Sequence, residues 1–272
     1  MRKGNAMKKI GFIGCGNMGG ALARAAARSL GGESLLLSDA DTAKAQALAT
    51  ELGAAATDSL TLVKEAYCIV LGVKPQMLGA ALAPLKDTLR ARGNGFFLVS
   101  MLAGTSMEKV SAALEGNYPI IRIMPNTPAS VGEGMILYAT ADTSADAEAF
   151  FLQAFSRAGK LDKLPEGLID AASALSGCGP AFVCLFAEAL ADGAVACGLP
   201  RDKANAYAAQ TLLGTAKLLL ESGKHPGVLK DAVCSPGGTT IEGVRALEEG
   251  ALRGTVMDAV TAAYEKTLAL GK

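Results

Sequence analysis

Residues 8–22 read KKIGFIGCGNMGGAL: a short apolar run breaks into Gly14-x-Gly16-x-x-Gly19 and then into a helix-forming segment, about 17–30. Few folds accept that order. A strand that stops on glycine and passes at once into a helix opens a βαβ unit, and in such a turn each glycine does separate work. The first permits the tight turn, the second lets a ligand approach the backbone, and the third brings helix against strand. The helix amino terminus adds free N–H groups and the positive end of its dipole, which suits a pyrophosphate. Gly14, Cys15, Gly16, Asn17, Met18 and Gly19 are therefore candidate dinucleotide-binding residues. The same spacing occurs in ordinary tight βα turns, and the strand before it and the helix after it are what give it weight. Cys15 is either an oxidisable thiol in this turn or a buried neutral one.

The dinucleotide pattern also expects an acid roughly 20 residues on, at the end of the second strand, to hold a ribose 2′-OH. Asp39 stands there. A carboxylate at that point repels a 2′-phosphate, and SDADTAK (38–44) offers Lys44 but no Arg, so taken alone Asp39 leans to NADH. The plain alternative is that Asp39 caps the next helix.

The first half of the chain alternates. Apolar, β-rich runs at 10–14, 34–39, 67–73, 96–101, 120–125 and 135–140 are separated by helical-length segments such as 41–52, 75–91 and 106–115, and a helix near 144–157 with the run 159–164 closes the layer. Strands alternating with helices, and apolar almost throughout, give an α/β domain with a mostly parallel sheet buried on both faces. After Pro165 there is no convincing strand, and helices are expected near 180–197, 200–222, 238–249 and 252–269. The expected organisation is a Rossmann dinucleotide-binding domain over 1–164 and an all-helical domain over 165–272.

Charge excludes several partners. Lys plus Arg and Asp plus Glu number 26 each, so no net field favours nucleic acid or an anionic membrane, and a small-molecule ligand is expected. The six cysteines form no CxxC pair and no zinc spacing with the single histidine, so they read as reduced thiols and no metal is expected. The amino end, MRKGNAMKK, is too short and polar for a signal peptide, Met7 is an alternative start, and the cytoplasm is the expected compartment. From Leu164 to Pro200 there is no Lys or Arg. Asp170, Glu188, Asp192 and the break GCGP (177–180) nonetheless interrupt every window of about 18 apolar residues that a membrane span requires, so a buried helix pair is expected. Helix 181–198 is apolar on more than one side, which calls for subunit association.

Three loops are expected at the carboxyl edge of the sheet, where open α/β folds bind ligands: GVKPQM (72–77), MPNTPA (124–129) and SPGGTT (235–240). Ser235, Gly237, Gly238, Thr239 and Thr240 enter a helix and present successive backbone N–H groups, an anion nest suited to a carboxylate. FIGCGNMG, VKPQ, MPNTP, LSGCGPAF (175–182) and LKDAVCSPGGTTIEGVRALE (229–248), in this order, resemble pyrroline-5-carboxylate reductase over essentially the whole chain. The resemblance implies reduction of Δ1-pyrroline-5-carboxylate to L-proline by NADPH or NADH. It places the substrate in the 235–240 loop and gives Thr240 contact with the ring nitrogen. It sets Val73, Lys74 and Pro75 beside the cofactor, and Glu166 as an acid near the pocket that assists protonation or is structural. Asn126 and Thr127 line the nicotinamide side or shape a proline-constrained turn. It further implies that the helical half builds an interlocked homodimer, often assembled further.

The chemistry is economical. Hydride transfer to a protonated cyclic imine needs no strong base, because the cofactor carries the reactivity and the protein orients it. His225, before Pro-Gly, reads as a turn residue. The family's usual SGSGPAY is SGCGPAF here, so Cys178 and Phe182 remove two hydroxyls whose role does not carry over. Asp39 replaces a small polar residue common in relatives that accept NADP. Three rivals stand beside this reading: a β-hydroxyacid dehydrogenase, which would need a lysine that helix 180–197 lacks, a non-catalytic dinucleotide sensor, and a reductase of a related cyclic imine.

Overall fold

The structure, a computed structural model, describes residues 7–93 and 95–270, so most of the basic amino end lies outside the described residues. The order is β1 (Ile10–Ile13), α1 (Asn17–Leu30), β2 (Leu35–Ser38), α2 (Thr42–Leu52), β3 (Ala55–Ala56), α3 (Ser59–Glu65), β4 (Cys68–Leu71), α4 (Leu78–Leu82) and α5 (Lys86–Arg92). It continues through β5 (Phe97–Ser100), α6 (Met107–Leu114), β6 (Ile120–Met124), β7 (Gly134–Ala141), α7 (Ala145–Phe155), β8 (Gly159–Lys163) and α8 (Glu166–Ser176). Five helices follow: α9 (Gly179–Ala196), α10 (Arg201–Ser222), α11 (Pro226–Val233), α12 (Thr239–Glu249) and α13 (Leu252–Leu270).

The strands form one sheet in the order β3-β2-β1-β4-β5-β6-β7-β8, parallel throughout except for the antiparallel β6–β7 pair. This is the expected α/β architecture. Period-2 alternation sends Phe12, Val70, Phe97 and Val99 to one face, against α1 and α7, and Ile69, Leu71 and Leu98 to the other, against α3 to α6. Both faces are covered, which is why the strand sequences read as unbroken apolar runs.

Departures from the expected elements have local causes. The two-residue β3 is too short to show a period. The seven-residue α3 is fixed by a cap, Asp58 accepting from the Thr61 N–H, and α11 by His225 Nδ1 accepting from the Gly227 N–H, the turn role expected of that histidine. The single helix expected over 75–91 is α4 and α5 joined by a 3-10 turn at Ala83–Leu85, where Pro84 has no N–H to continue the ladder.

The chain divides into two compact units, one running to Gly177 and taking in the chain from Tyr264 onward, the other Cys178–Ala263. In the second, α9 and α10 pack through Ala191, Ala204 and Ala208. The stretch Glu166–Ala196 is long and apolar enough to cross a membrane by length and composition, but a turn at Gly177 and Cys178 breaks it into α8 and α9. The expected burial of this pair is corrected by the structure: α9 buries only Ala191. Within one chain too little protein surrounds these helices, and Leu185, Leu213, Leu220 and Met257 stay 68, 60, 80 and 70 % exposed.

The sheet core rests on aromatic contacts as well as area. Phe97, 1 % exposed, meets Tyr67 edge-on at 5.3 Å and Phe150 at 6.3 Å between ring centroids. Phe97→Ala is expected to destabilise this unit by about 3–5 kcal/mol, measured by urea unfolding followed through tyrosine fluorescence.

Candidate active site

β1 ends at Ile13, and the next residue turns with φ +106°. A methyl group on Gly14 would stand 2.6 Å from the Gly72 carbonyl oxygen, and one on Gly19 would overlap the Gly14 carbonyl. These two positions require glycine for the turn and for close helix packing. Gly16 differs: an added methyl meets nothing within 4 Å. It is the amino cap of α1, with no side-chain cap bond, so the first-turn amides face open space.

That space is a cleft of about 1060 Å³. Gly14, Gly16, Asn17, Met18 and Gly19 line it, with Asp39, Val73 and Lys74, while Cys15 and Pro75 are not among its lining residues. An uncapped helix start, a glycine with room beside it and a cleft of this size match a dinucleotide. Ser38, Thr57 and Asp58 also line it and escape the sequence reading, while Gly72, also in the lining, opens the 72–77 loop expected at this edge. The signal of the first three is weak, since Ser38 ends β2, Thr57 and Asp58 follow the two-residue β3, and each gains its place from strand order.

Asp39 is held before any ligand arrives. Its Oδ2 accepts from the Cys15 N–H at 2.7 Å and its Oδ1 from the Asp41 N–H at 2.9 Å. The amino cap of α2 is Asp41, so Asp39 is not that helix's cap. The Cys15 thiol is half-buried, and burial, then the Asp39 carboxylate, push it up to about 11 against a Ser38 carbonyl bond. It is a neutral thiol near pH 7 and a poor nucleophile.

At the far side of the same unit, Arg122 on β6 is 3 % exposed. Its Nη2 donates to Asp170 Oδ1 at 2.6 Å and its Nη1 lies 3.4 Å from Glu166 Oε1, which also accepts from the Met107 N–H at 2.7 Å. Glu166 thus ties α8 to β6 and to the start of α6. Asn126 is also committed: Nδ2 donates to the Ser176 carbonyl at 2.9 Å and Oδ1 accepts from the Met135 N–H at 2.9 Å. Its side chain pins the 124–129 turn to the end of α8 and the start of β7. Arg122 was not singled out in the sequence because one basic residue in an apolar strand names no partner.

In the helical unit, Ser235 to Gly238 form a turn in which the Gly238 N–H donates to the Ser235 carbonyl at 3.0 Å, with Pro236 second and Gly237 at φ +64°. Gly238 caps α12 with no side-chain cap bond, and Thr239 and Thr240 open the helix on an exposed surface. The loop presents its amides without a competing side chain.

A family model described as pyrroline-5-carboxylate reductase dimerisation matches residues 166–270, and one described as NADP oxidoreductase, coenzyme F420-dependent, matches residues 9–104. The chain is 40% identical over 270 residues to the pyrroline-5-carboxylate reductase of Methanosarcina acetivorans, covering 97% of this chain and 98% of that one. It is 39% identical over 263 residues to pyrroline-5-carboxylate reductase 3 of Macaca fascicularis, with coverage of 96% and 95%. The crystal structure of a Plasmodium falciparum pyrroline carboxylate reductase with NADP bound superimposes with a TM-score of 0.86 at 32% identity, covering 97% of this chain and 98% of that one.

The glycine turn separates binding from stability. Gly16→Ala, which meets no steric clash but is a poorer amino cap, should cost at most about 1 kcal/mol yet weaken dinucleotide binding by roughly tenfold or more, because the methyl enters the ligand's approach to the backbone. Gly19→Ala should instead cost about 1–3 kcal/mol by overpacking; chemical denaturation and cofactor titration together check both. Arg122→Ala, which strands two carboxylates, should cost about 3 kcal/mol, the low end for a buried pair because both carboxylates reach water, measured by the same unfolding method.

Proposed function

The chain belongs to the pyrroline-5-carboxylate reductase family, and from that membership we propose how its own residues perform the family's reaction. The chain is an NAD(P)H-dependent oxidoreductase that reduces Δ1-pyrroline-5-carboxylate to L-proline in proline biosynthesis. The observation that carries the reading of its residues is the pairing, in one chain, of two helix starts that begin on glycine without a side-chain cap, α1 at Gly16 and α12 at Gly238.

In this reading residues 1–164 hold the cofactor and 165–272 form the substrate and dimerisation domain. The α1 amides take the pyrophosphate beside Gly16, with Asn17 and Met18 at the turn, Asp39 at the adenosine ribose, and Val73 and Lys74 along the nicotinamide half, while Pro75, which does not line the cleft, opens the short 3-10 turn after them. When bound, the reduced nicotinamide supplies the hydride. The amides of the Ser235–Thr240 loop take the substrate carboxylate and so fix the ring. Thr240 Oγ1 meets the ring nitrogen: it accepts the N–H of the protonated imine and, by rotating its own hydrogen, donates to the lone pair that appears on nitrogen as the amine forms. Glu166, whose Oε1 is shared between the Met107 N–H and Arg122, positions α8 and β6 and moves no proton. Asn126 likewise shapes the 124–129 turn beside the nicotinamide rather than binding it through its side chain. The chain is a homo-oligomer that turns over a small molecule; the finer reading is an obligate homodimer in the cytoplasm, with the pocket bordering the partner subunit.

Thr240→Ala should lower kcat/KM for pyrroline-5-carboxylate by about 10- to 100-fold, the cost of one hydrogen bond to a charged group, while Thr240→Ser stays within a few-fold. Loss of near-UV absorbance of the cofactor reads both. Tight cofactor binding with no imine turnover in wild type would favour a sensor instead. Leu185→Glu, which charges an exposed apolar face of α9, should shift sedimentation to a monomer and abolish activity. An active monomer would overturn the obligate dimer.

A further inference from the structure

We propose that this enzyme selects NADH over NADPH, and that Asp39 and Asp58 make the choice jointly. The proposal rests on reading the cleft at Gly14–Gly19 as the cofactor site. Its lining carries three charged side chains among the described residues: Asp39, Asp58 and Lys74. Strand order separates them. Asp39 follows β2 and Asp58 follows β3, on one side of β1, whereas Lys74 follows β4 on the other. The end of the cleft past β2, where the adenosine ribose binds in this fold, therefore holds two carboxylates and no cation.

Two cations on the flanking helices α1 and α2 are paired with acids. Arg24 on α1 forms a two-pronged pair with Glu51, Nε and Nη2 each at 2.6 Å from a carboxylate oxygen. Lys44 Nζ lies 3.5 Å from Asp41 Oδ2 and is not among the cleft residues. Arg24, like Lys44, is not among the residues that line the cleft.

Both acids are rigidly held. Asp39 is fixed by the Cys15 and Asp41 amides, one to each oxygen, leaving lone pairs free to accept a ribose hydroxyl. Asp58 is fixed by Thr61, Oδ1 accepting from its N–H at 2.9 Å and Oδ2 from its hydroxyl at 2.7 Å. A carboxylate braced in this way cannot swing aside for a group carrying close to two negative charges. Removing one acid leaves the other, so the single variants should shift preference only in part.

The test is direct titration of NADH and of NADPH into wild type, Asp39→Asn, Asp58→Asn and the double variant, followed by nicotinamide fluorescence. Asn keeps one acceptor oxygen: Asp58→Asn can still accept from the Thr61 N–H and donate to its hydroxyl, whereas Asp39→Asn keeps one of its two amide bonds and loses the other. Wild type should bind NADH about tenfold or more tighter than NADPH at low salt, and the gap should narrow at about 0.5 M salt because a charge repulsion is screened. Each single variant should narrow it several-fold, and the double variant should bind the two alike or prefer NADPH. Equal or tighter NADPH binding by wild type, or a gap insensitive to salt and to the double substitution, would overturn the selectivity while leaving the cleft intact. If wild type binds neither, the cofactor reading falls and the selectivity with it. Should a variant lose melting temperature, the salt series on wild type still decides.

Discussion

Two stretches of backbone meet at the end of β1, and the rest of the first unit is arranged around that contact. Gly14 turns at φ +106° against the carbonyl of Gly72, whose own added methyl would stand 2.8 Å from the Gly14 oxygen. No side chain fits between them, so the chain leaving β1 must rise directly into α1, and the chain leaving β4 must pass beside it. The open cleft is the volume left above that crossing. Gly16 faces it because the turn is already closed on its other side.

A second constraint sits on the opposite half of the sheet and is ionic rather than steric. Arg122 projects from β6 into a nearly dry space, and its cost is met by Asp170 and Glu166 from α8. One carboxylate oxygen of Glu166 also closes the start of α6 through the Met107 N–H. Three elements thereby share one charge. Asn126, four residues along from Arg122, repeats the pattern with neutral groups by holding the last turn of α8 and the first residues of β7. The turn at 124–129 is fixed at both ends before it meets any ligand. Ser100 Oγ and Arg122 Nε, on paired residues of β5 and β6, remain buried without partners. They are what this ionic arrangement leaves uncompensated.

Much of this was legible in the sequence where a local pattern was sufficient. Most strands announced themselves because burial on both faces leaves few polar positions, and Gly14 and Gly19 announced the turn because only glycine fits there. Asp39 was legible by distance from that turn. Its bracing by the Cys15 amide was not, since that bond joins residues 24 apart across two strands. Asp58 and Thr57 reach the cleft through strand order, which no local window contains. The expected burial of α8 and α9 shows the same limit from the other direction. An apolar helix states that it must be covered and is silent on which chain supplies the cover.

The treatment of helix starts shows where the chain has kept backbone donors free. At α3, α6 and α7 an oxygen of Asp58, Ser106 or Ser144 accepts from an amide of the first turn, as most helix starts in water demand. At α1 and α12 the cap is glycine and the donors are left open. Serine or aspartate at either position would stabilise the isolated helix by roughly a few tenths of a kcal/mol. It would also place an acceptor where, in the proposed reading, a pyrophosphate or a carboxylate must bind. The same exchange governs Asp39, which consumes the Cys15 amide with its own carboxylate and thereby brings a negative charge to the edge of the cleft. Two helices, α1 and α12, begin on a glycine that has no side chain to accept with, and beside the first of them the chain fixes an acid; in the proposed reading this separates the anion that is recruited from the anion that is refused.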